Sequence, residues 1–316
     1  MDNYILGIDI GGTKTLFAIV PIDSRDIVHE YKQDTICTSQ ESFVEQLLAG
    51  LDHVLKSPWG QYVTAIGVGT AGYVDIKAGF LSSRNLNLHQ LALHSIVKEF
   101  SGLPVVIDND TNAGAIGELH YGKGSDNFAY VAVGTGIGMG LILNGRLFRG
   151  RKNDAGELGH VGVDLNGELC RCGHRGCLEN LASGTAIAHI ARKRLGAGES
   201  SLLQGMYKKD PLLITGEQVF MALGRKDPLA ESVVRNAARA LGYALQNLVV
   251  LLDLKQIVLG GGVPSSSPQY LAWVRDAMVS QSNRTDEVTV ELTDLGDYTA
   301  VLGGTIMARE KLQELG

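Results

Sequence analysis

A strand, a glycine-rich turn and a second strand occur twice in this chain, and this repeat limits the folds that the sequence can adopt. The first copy spans residues 4–20 with Gly11–Lys14 between its strands, and the second spans residues 128–143 with Gly134–Gly140 in the same place. β-Branched residues on both sides of a short glycine turn predict a β-hairpin. Recurrence of the unit predicts two similar lobes, each of which presents one glycine hairpin to a common cleft.

Strands and helices alternate along the rest of the chain. The predicted elements are helices over residues 42–55, 91–100 and 229–251 and strands over residues 64–69, 105–107 and 256–259. Such alternation is typical of an α/β fold with parallel strand pairing. Because 316 residues exceed what one hydrophobic core usually serves, we predict two domains. The first is a small N-terminal α/β lobe formed by residues 1–112 and 300–316, and the second is a larger C-terminal α/β lobe formed by residues 113–299.

Three of the four cysteines lie close together, at Cys170, Cys172 and Cys177, and His160 precedes them. Three thiolates and one imidazole are a usual ligand set for structural Zn²⁺, and such close cysteine spacing is typical of metal sites. The alternatives are a disulfide or buried unreactive thiols. Cys37 lies far from the cluster, the chain opens without a secretory signal, and a cytosolic setting keeps thiols reduced. We therefore predict one zinc ion, with Glu157 and Glu179 on either side of its ligands and held in place by it.

The glycine turns are candidates for binding phosphate. Gly134-Thr135-Gly136 begins like a dinucleotide fingerprint, but residue 139 is Met and a strand follows instead of a helix. In the first turn Thr13-Lys14 reverses the Lys-Ser/Thr order of a P-loop. The remaining interpretation is that backbone N–H groups of both turns bind anionic oxygens. Thr13, Lys14 and Thr135 add side-chain donors, and Gly260–Gly262 is a third place where the backbone can approach a ligand closely. The alternative is that the glycines serve hairpin geometry alone.

Asp110 follows a predicted buried strand, beside Asn109 and Asn112, where a helix is predicted to begin near Ala113. In α/β folds, ligands collect at the carboxyl ends of strands. A carboxylate at such a place can accept the proton of a hydroxyl group that is being phosphorylated. Taken alone, Asp108 or Asp110 could equally cap the helix or act as the base, since Asp and Asn are favoured N-cap residues, and the sequence leaves the two roles open.

The formal net charge of -6 and the sequence pI near 5.8 disfavour electrostatic binding to nucleic acid or membrane surfaces. The two densest basic clusters, Arg149–Lys152 and Arg192–Arg194, are predicted to be solvated surface. No apolar run reaches the ~18 residues that would suggest a membrane-spanning helix. We therefore expect a cytoplasmic protein with neither a nucleic-acid nor a membrane partner.

Together these motifs resemble those of the ROK sugar kinases, a family within the actin-like ATPase superfamily, and the resemblance covers nearly the whole chain. The matching segments are Asp9–Lys14 for the first phosphate loop, Asp108–Asn112 for the catalytic segment, Gly134–Gly138 for the second phosphate loop, Gly156–His160 and Cys170–Glu179 for the signature and zinc knuckle, and Leu259–Val263 for the stretch against adenosine. The resemblance implies a two-lobed actin-like ATPase fold, related to ribonuclease H, that carries a zinc knuckle.

The same resemblance implies transfer of a phosphoryl group from ATP, with Mg²⁺, to a hexose hydroxyl, most often the one on C6. Asp110 is then the general base. The residues implied to bind the hexose are Asn85, Asn109, Asp110, Glu157, His160 and Glu179. Those implied to bind ATP are Asp9, Gly11, Gly12, Thr13, Lys14, Gly134, Thr135, Gly136, Gly260, Gly261 and Gly262. Those implied to bind structural zinc are His160, Cys170, Cys172 and Cys177, with one ring nitrogen of His160 facing the metal and the other facing the sugar.

Glucose is the first choice of substrate. Alternatives are N-acetylglucosamine, N-acetylmannosamine, fructose, mannose or allose, and outside the enzyme class a non-catalytic sugar-binding regulator. The loop Gly69–Asp75 departs from the family pattern, because Ala71 stands where a proline is common, and this loop touches the sugar in relatives. Many relatives are repressors with an N-terminal helix-turn-helix; the first strand begins at about residue 4 and leaves no room for one, so we expect a kinase. The family also suggests a homodimer.

Overall fold

The computed structural model describes residues 3–36, 38–279 and 288–315. The strands are β1 (Tyr4–Ile10), β2 (Lys14–Pro21), β3 (His29–Asp34), β4 (Val63–Thr70), β5 (Tyr73–Asp75), β6 (Phe80–Ser83), β7 (Leu88–Leu91), β8 (Val105–Asn109), β9 (Phe128–Val133), β10 (Ile137–Leu143), β11 (Arg146–Leu147), β12 (Gln256–Gly260) and β13 (Thr289–Leu292). The helices are α1 (Gln40–Leu55), α2 (Leu93–Ser101), α3 (Asp110–Tyr121), α4 (Glu179–Ala182), α5 (Gly184–Gly196), α6 (Gln204–Lys209), α7 (Gly216–Gly224), α8 (Pro228–Leu252), α9 (Gly262–Ser265), α10 (Pro268–Val279) and α11 (Thr299–Leu315).

The chain divides into two compact units. Unit 1 contains Met1–Tyr130, Gly140–Ala155 and Thr293–Gly316, and unit 2 contains Val131–Met139 and Gly156–Leu292. The division into domains predicted from the sequence, with a boundary after residue 112, stays a prediction.

The main sheet of unit 1 has the strand order β3-β2-β1-β4-β8. β1 pairs antiparallel with β2 and parallel with β4, and β4 pairs parallel with β8. Both the first predicted hairpin and the predicted parallel pairing are therefore confirmed. Ile10, Thr70 and Asn109 lie level with one another across the three parallel strands, so the loops that follow β1, β4 and β8 leave the sheet at the same edge.

The core of unit 1 packs α1 and α2 against this sheet through buried side chains such as Phe17, Phe43 and Leu51. α1 begins directly after its N-cap residue Ser39, which forms a capping box with Ser42 in the first turn; each side chain satisfies a backbone N–H of the other residue. α11 packs on α3 at very close range, since a Cβ at Gly303 would lie 1.7 Å from the Ala113 carbonyl oxygen.

A second five-stranded sheet has the order β11-β10-β9-β12-β13. This order repeats that of the first sheet. In each sheet, two further strands lie on the side of the first strand of the hairpin: β4 and β8 beside β1, and β12 and β13 beside β9. The second predicted hairpin and the predicted strand before Gly260 are confirmed. The predicted long helix is α8, in unit 2. Its first residue is Pro228, a position where a backbone N–H would have no partner within the helix, so proline is tolerated there.

Several elements differ from the predictions. β3 is absent from the sequence-based prediction because its residues are polar and alternate between intermediate and exposed positions. A small three-stranded sheet, β5-β6-β7, fills the stretch before α2. Among the described residues, no helix combines the length and the apolar character needed to span a membrane.

Candidate active site

The first glycine turn connects β1 to β2 in unit 1. Gly11 N–H donates to the Lys14 carbonyl at 2.9 Å, and Thr35 N–H donates to the Thr13 carbonyl at 2.9 Å. A Cβ at Gly12 would meet no atom within 4 Å. The turn is therefore closed by its own backbone while one side of it stays open, as a phosphate-binding turn requires.

The catalytic segment predicted at residues 108–112 forms the junction of β8 and α3. α3 begins at Asp110 rather than near Ala113, which corrects the predicted start of this helix. The cap is Asn109, whose Oδ1 accepts from Thr111 N–H at 2.9 Å and from Asn112 N–H at 3.3 Å. Since Asn109 satisfies these N–H groups, neither Asp108 nor Asp110 is the N-cap residue. Asp110, in the first turn, is only partly buried.

Asp9, near the end of β1, lies within electrostatic reach of Asp110. Burial raises the pKa of the Asp9 carboxyl from 3.8 to about 8, and the negative charge of Asp110 adds to the shift. Burial also raises the pKa of the Tyr130 hydroxyl, with further contributions from Glu118, Asp9 and Asp110. Two neighbouring carboxylates that resist joint ionisation are suited to a hard divalent cation, because Mg²⁺ takes carboxylate and phosphate oxygens as ligands. Asp9 and Asp110 are thus the residues of this edge that could hold Mg²⁺.

The segment predicted as loop Gly69–Asp75 contains the end of β4, the turn at residues 71–72 at the same sheet edge, and β5. Ala71 N–H donates to the Ile10 carbonyl at 2.9 Å, a bond that a proline could not make. Asn109 Nδ2 donates to the Gly72 carbonyl at 3.1 Å. Ala71, which departs from the family pattern, therefore hydrogen-bonds this segment to β1, the strand that precedes the first glycine turn. Asn85 lies exposed in the turn between β6 and β7.

The second glycine turn, in unit 2, is closed by a hydrogen bond from Gly134 N–H to the Gly136 carbonyl at 2.9 Å. Thr185 Oγ1 donates to the Thr135 carbonyl at 2.8 Å, and Gly184 N–H donates to the Gly134 carbonyl at 2.8 Å. The start of α5 thus supports the turn, a role that the sequence analysis missed. The feature of the sequence that indicates the start of this helix is Ser183, which caps α5.

Gly260–Gly262 also lies beside β9 in unit 2. Gly260 ends β12, and Gly261 approaches β9 so closely that a Cβ would lie 2.5 Å from the Val133 carbonyl oxygen. A Cβ at Gly262 would meet nothing within 4 Å. The structure therefore brings the second and third predicted backbone sites together at one edge of this sheet.

The predicted zinc ligands form one cluster in unit 2. The ligand atoms of His160, Cys170, Cys172 and Cys177 all lie within 4.8 Å of one another. The Cys172 and Cys177 sulfurs are 3.5 Å apart, and Cys170 Sγ is 3.8 Å from His160 Nδ1. Ligands about 2.0–2.3 Å from a tetrahedral zinc lie roughly 3.5–3.8 Å apart, so this donor set fits the ion. Cys170, Cys172 and Cys177 are free thiols, and Cys37 lies outside the described residues.

The two acidic residues beside the cluster have different surroundings. Glu157 is exposed and lies 3.8 Å from His160 Nε2, so the two ring nitrogens of His160 face different groups. Glu179 Oε2 accepts from Ile137 N–H at 3.0 Å. Its Oε1 pairs with Arg171 at 2.8 Å, and its side chain is only 12% exposed. Arg171 is a further contact that sequence reasoning missed.

Glu179 also explains Gly136, because a Cβ there would lie 2.5 Å from Oε2 of the carboxylate. Gly156 has φ +100°, a region that favours glycine, and a Cβ there would lie 2.1 Å from the Met139 carbonyl oxygen. Gly156 is therefore required by its close approach to β10, whereas Gly136 leaves room for the Glu179 carboxylate.

The chain matches the sequence model of the ROK family over residues 5–311. It is 32% identical to a glucokinase of Halalkalibacterium halodurans over 98% of this chain and 96% of that protein. It is 32% identical to an N-acetylmannosamine kinase of Vibrio vulnificus over 97% of this chain and 98% of that protein. A putative xylose repressor of Caldicellulosiruptor is 31% identical over 96% of this chain and 78% of that protein.

Among solved structures, a ROK family glucokinase from Streptomyces griseus in complex with glucose and AMPPNP resembles this chain with a TM-score of 0.84 at 31% identity. The match covers 98% of this chain and 100% of that chain. These comparisons support the two-lobed α/β fold of actin-like kinases.

Proposed function

Because the chain belongs to the ROK family, we propose that it is an ATP-dependent hexose kinase whose substrate is glucose. The main observation that supports the proposal concerns unit 1. The glycine turn, loop Gly69–Asp75 and the Asn109–Asp110 segment all leave the sheet at the edge where three parallel strands end. This is the edge at which α/β folds bind ligands, and each of the three segments supplies a different part of a phosphotransferase site.

In the proposed reaction, Asp110 accepts the proton of the hexose hydroxyl as the oxygen bonds to the γ-phosphorus of ATP, and ADP leaves. In the first turn, which the N–H of Gly11 closes, the N–H of Gly12 and the ammonium of Lys14 bind phosphate oxygens. Asp9 would hold Mg²⁺, which would neutralise charge on the transferring group, and Asp110 then stays free to accept the proton. Asp110 also orients the hydroxyl, so its contribution combines general base catalysis with positioning.

We propose that the remaining hydroxyls bind to amide, carboxylate and imidazole groups named above, which are Asn85, Asn109, Glu157, His160 and Glu179. The second turn, Gly134–Gly136, and Gly260–Gly262 bind the nucleotide. Such polar groups reject analogues that leave them unpaired, and this is the basis of choice among hexoses.

We also propose one structural Zn²⁺ on His160, Cys170, Cys172 and Cys177. Burial, followed by the neighbouring thiols Cys172 and Cys170, raises the pKa of the Cys177 thiol to about 12, so a cation is needed to stabilise its thiolate. Zinc would contribute folding free energy. Elemental analysis of the purified protein tests the proposal, and a protein without zinc whose thiols are disulfide-bonded would contradict it.

The function is tested by measuring ADP formation with glucose and with the five alternative hexoses, together with sugar binding by calorimetry. Glucose is expected to give the highest kcat/KM. A higher value for N-acetylmannosamine would replace glucose as the substrate, as the similarity to the Vibrio enzyme suggests. Sugar binding without ADP formation would instead support a non-catalytic regulator, as the similarity to the repressor suggests.

Asp110→Asn is expected to bind the sugar normally and to lower kcat by about 10²–10⁴-fold or more, since general base catalysis contributes about that much. Asp52→Asn is the matched control, because the Asp52 carboxylate pairs with Lys56 at the solvent-exposed surface of α1. Normal kcat in Asp110→Asn would contradict the assignment of the base.

We further propose a cytoplasmic homodimer that binds neither nucleic acid nor membranes, as the family resemblance and the net charge of -6 suggest. Sedimentation equilibrium that gives the mass of one chain would contradict the dimer.

A further inference from the structure

Asp108 is a buried carboxylate that the proposed reaction does not use. Its side chain is 1% exposed. Oδ1 accepts from Asn109 N–H at 2.7 Å and from Asn112 Nδ2 at 2.9 Å, while Oδ2 pairs with Arg149 Nη1. A buried carboxylate is costly unless it is paired with a cation and hydrogen-bonded, and Arg149 is the cation that Asp108 contacts.

Arg149 corrects one prediction from the sequence. Arg149–Lys152 was expected to be solvated surface, yet the side chain of Arg149 is 37% exposed and makes an ion pair with a buried group. Arg151, two residues further on, is exposed. The sequence pattern treats the two arginines alike, and only the fold separates them.

The loop that carries Arg149 is itself closed and anchored. Ala155 N–H donates to the Arg149 carbonyl at 3.3 Å, and Arg149 Nη1 donates to Asn153 Oδ1 at 3.3 Å. Asn153 has a positive φ of 63°, and its Nδ2 donates to the Val74 carbonyl at 3.2 Å. The loop therefore contacts both the Asp108 carboxylate and β5.

The donors to Asp108 come from both of its sides. Asn109 caps α3 and Asn112 lies in its first turn. Arg149 and Asn153, whose Nδ2 lies 3.4 Å from Asp108 Oδ1, belong to a loop far away in sequence. Asp110 lies between Asn109 and Asn112 in that same turn. The orientation of the turn that carries Asp110 is therefore coupled to the ion pair between Asp108 and Arg149.

We propose that Arg149 is a positioning residue for phosphoryl transfer, which holds Asp108 and thereby fixes Asn109 and Asp110. This inference rests on the proposed kinase function. It does not make Arg149 a catalytic residue, because Arg149 acts through Asp108. A misplacement of a reacting group by about 1 Å can cost about 10²-fold in rate, so loss of the pair should slow the reaction while the nucleotide still binds.

The test compares Arg149→Met with Arg149→Lys and with the exposed control Arg151→Met. Arg149→Met is expected to lower kcat by about 10–100-fold with the KM for ATP within about threefold of the unsubstituted value. Arg149→Lys should recover part of kcat, since it restores the charge but not the planar fork of the guanidinium. Arg151→Met should leave kcat within about twofold. Equal kcat in all variants would overturn the proposal.

Arg149→Met leaves the Asp108 charge unpaired and can unfold the protein, so Asp108→Asn combined with Arg149→Met serves as a neutral variant. It should fold, because an amide oxygen still accepts from Asn109 and Asn112. Its kcat should stay at least about tenfold low, because the ion pair with the loop is lost and only the weak 3.4 Å contact from Asn153 Nδ2 remains. Full recovery of kcat would show that Arg149 only neutralises Asp108, and would overturn the proposal.

Amide hydrogen exchange gives a readout that does not depend on activity. Exchange at Asn109, Thr111 and Asn112 should be faster in the neutral double variant than in Arg151→Met, while exchange in α8 should be unchanged. If the protein phosphorylates no hexose, the proposed function fails, and the exchange rates still decide whether Arg149 positions this turn. Unchanged exchange at the three residues would overturn the positioning role.

Discussion

Asp9→Asn should stabilise the ligand-free protein, and more so at higher pH. The pKa of Asp9 rises from 3.8 to about 8 on folding, first because of burial and then because of the charge of Asp110. A carboxyl whose pKa is raised by folding favours the folded state while it is protonated. The unfolded chain releases this proton near pH 3.8 and the folded chain only near pH 8, so the folded state loses stability as pH rises between these values. Asparagine is neutral throughout and escapes this loss.

The magnitude follows from the shift. Each pKa unit corresponds to about 1.4 kcal/mol, so the full shift sets a ceiling of about 6 kcal/mol on the loss. Asp9 is only partly buried, and solvent reaching the carboxylate reduces this figure. We expect the advantage of Asp9→Asn over the unsubstituted protein to be about 2 kcal/mol larger at pH 8.5 than at pH 5.5.

The measurement is urea unfolding at both pH values, without nucleotide or Mg²⁺ and without a chelator that would remove zinc. Asp34→Asn is the control, because Asp34 is exposed on β3 of the same sheet. Packing changes would shift the Asp9→Asn curve equally at both pH values, so the difference between pH values is the decisive quantity. If the two proteins lose stability in parallel between pH 5.5 and pH 8.5, the reasoning is wrong.

Three further substitutions test other parts of the structure. Cys172→Ser should raise the KM for the hexose more than the KM for ATP if zinc braces the sugar-binding acids; a thermal melt must show that the variant is folded, and an unchanged hexose KM would make the zinc a remote structural element. Gly136→Ala should displace Glu179 and raise the hexose KM about tenfold, which corresponds to the loss of roughly one hydrogen bond. Gly134→Ala should leave the hexose KM unchanged, because a Cβ there meets no atom within 4 Å. Equal hexose KM values in the two variants would contradict this. Ala71→Pro removes an N–H that donates to the last carbonyl of β1 and should lower the free energy of unfolding by about 1 kcal/mol, as measured in urea; an unchanged value would show that this bond contributes nothing.

The sequence alone was sufficient for the two hairpins and the long helix α8. Their signals are local, because the glycine turns lie between runs of β-branched residues and α8 has an apolar face that repeats at helical spacing. The Cys3His cluster was also predictable, since cysteine spacing is itself a property of neighbouring residues. The structure brings those four ligands together as the sequence indicated.

Other elements depended on tertiary structure. β3 carries no apolar run, and its pairing with β2 comes from its place at the edge of a sheet, where one side needs little burial. The start of α3 was misplaced because Asp108, Asn109 and Asp110 all have side chains that can cap a helix. Only the folded geometry shows that Asn109 accepts the hydrogen bonds.

The same distinction holds for the candidate site. Motifs name the groups that carry chemistry, such as Asp110 and the glycine turns, because their residue types are fixed by what they must do. The groups that hold them in place have no such signature. Arg149 pairs with Asp108 across 41 positions of the chain, and a sequence pattern cannot distinguish it from the exposed Arg151. Which arginine pairs with the buried carboxylate is decided by tertiary packing, because desolvation makes a buried charge costly until a partner of opposite charge reaches it.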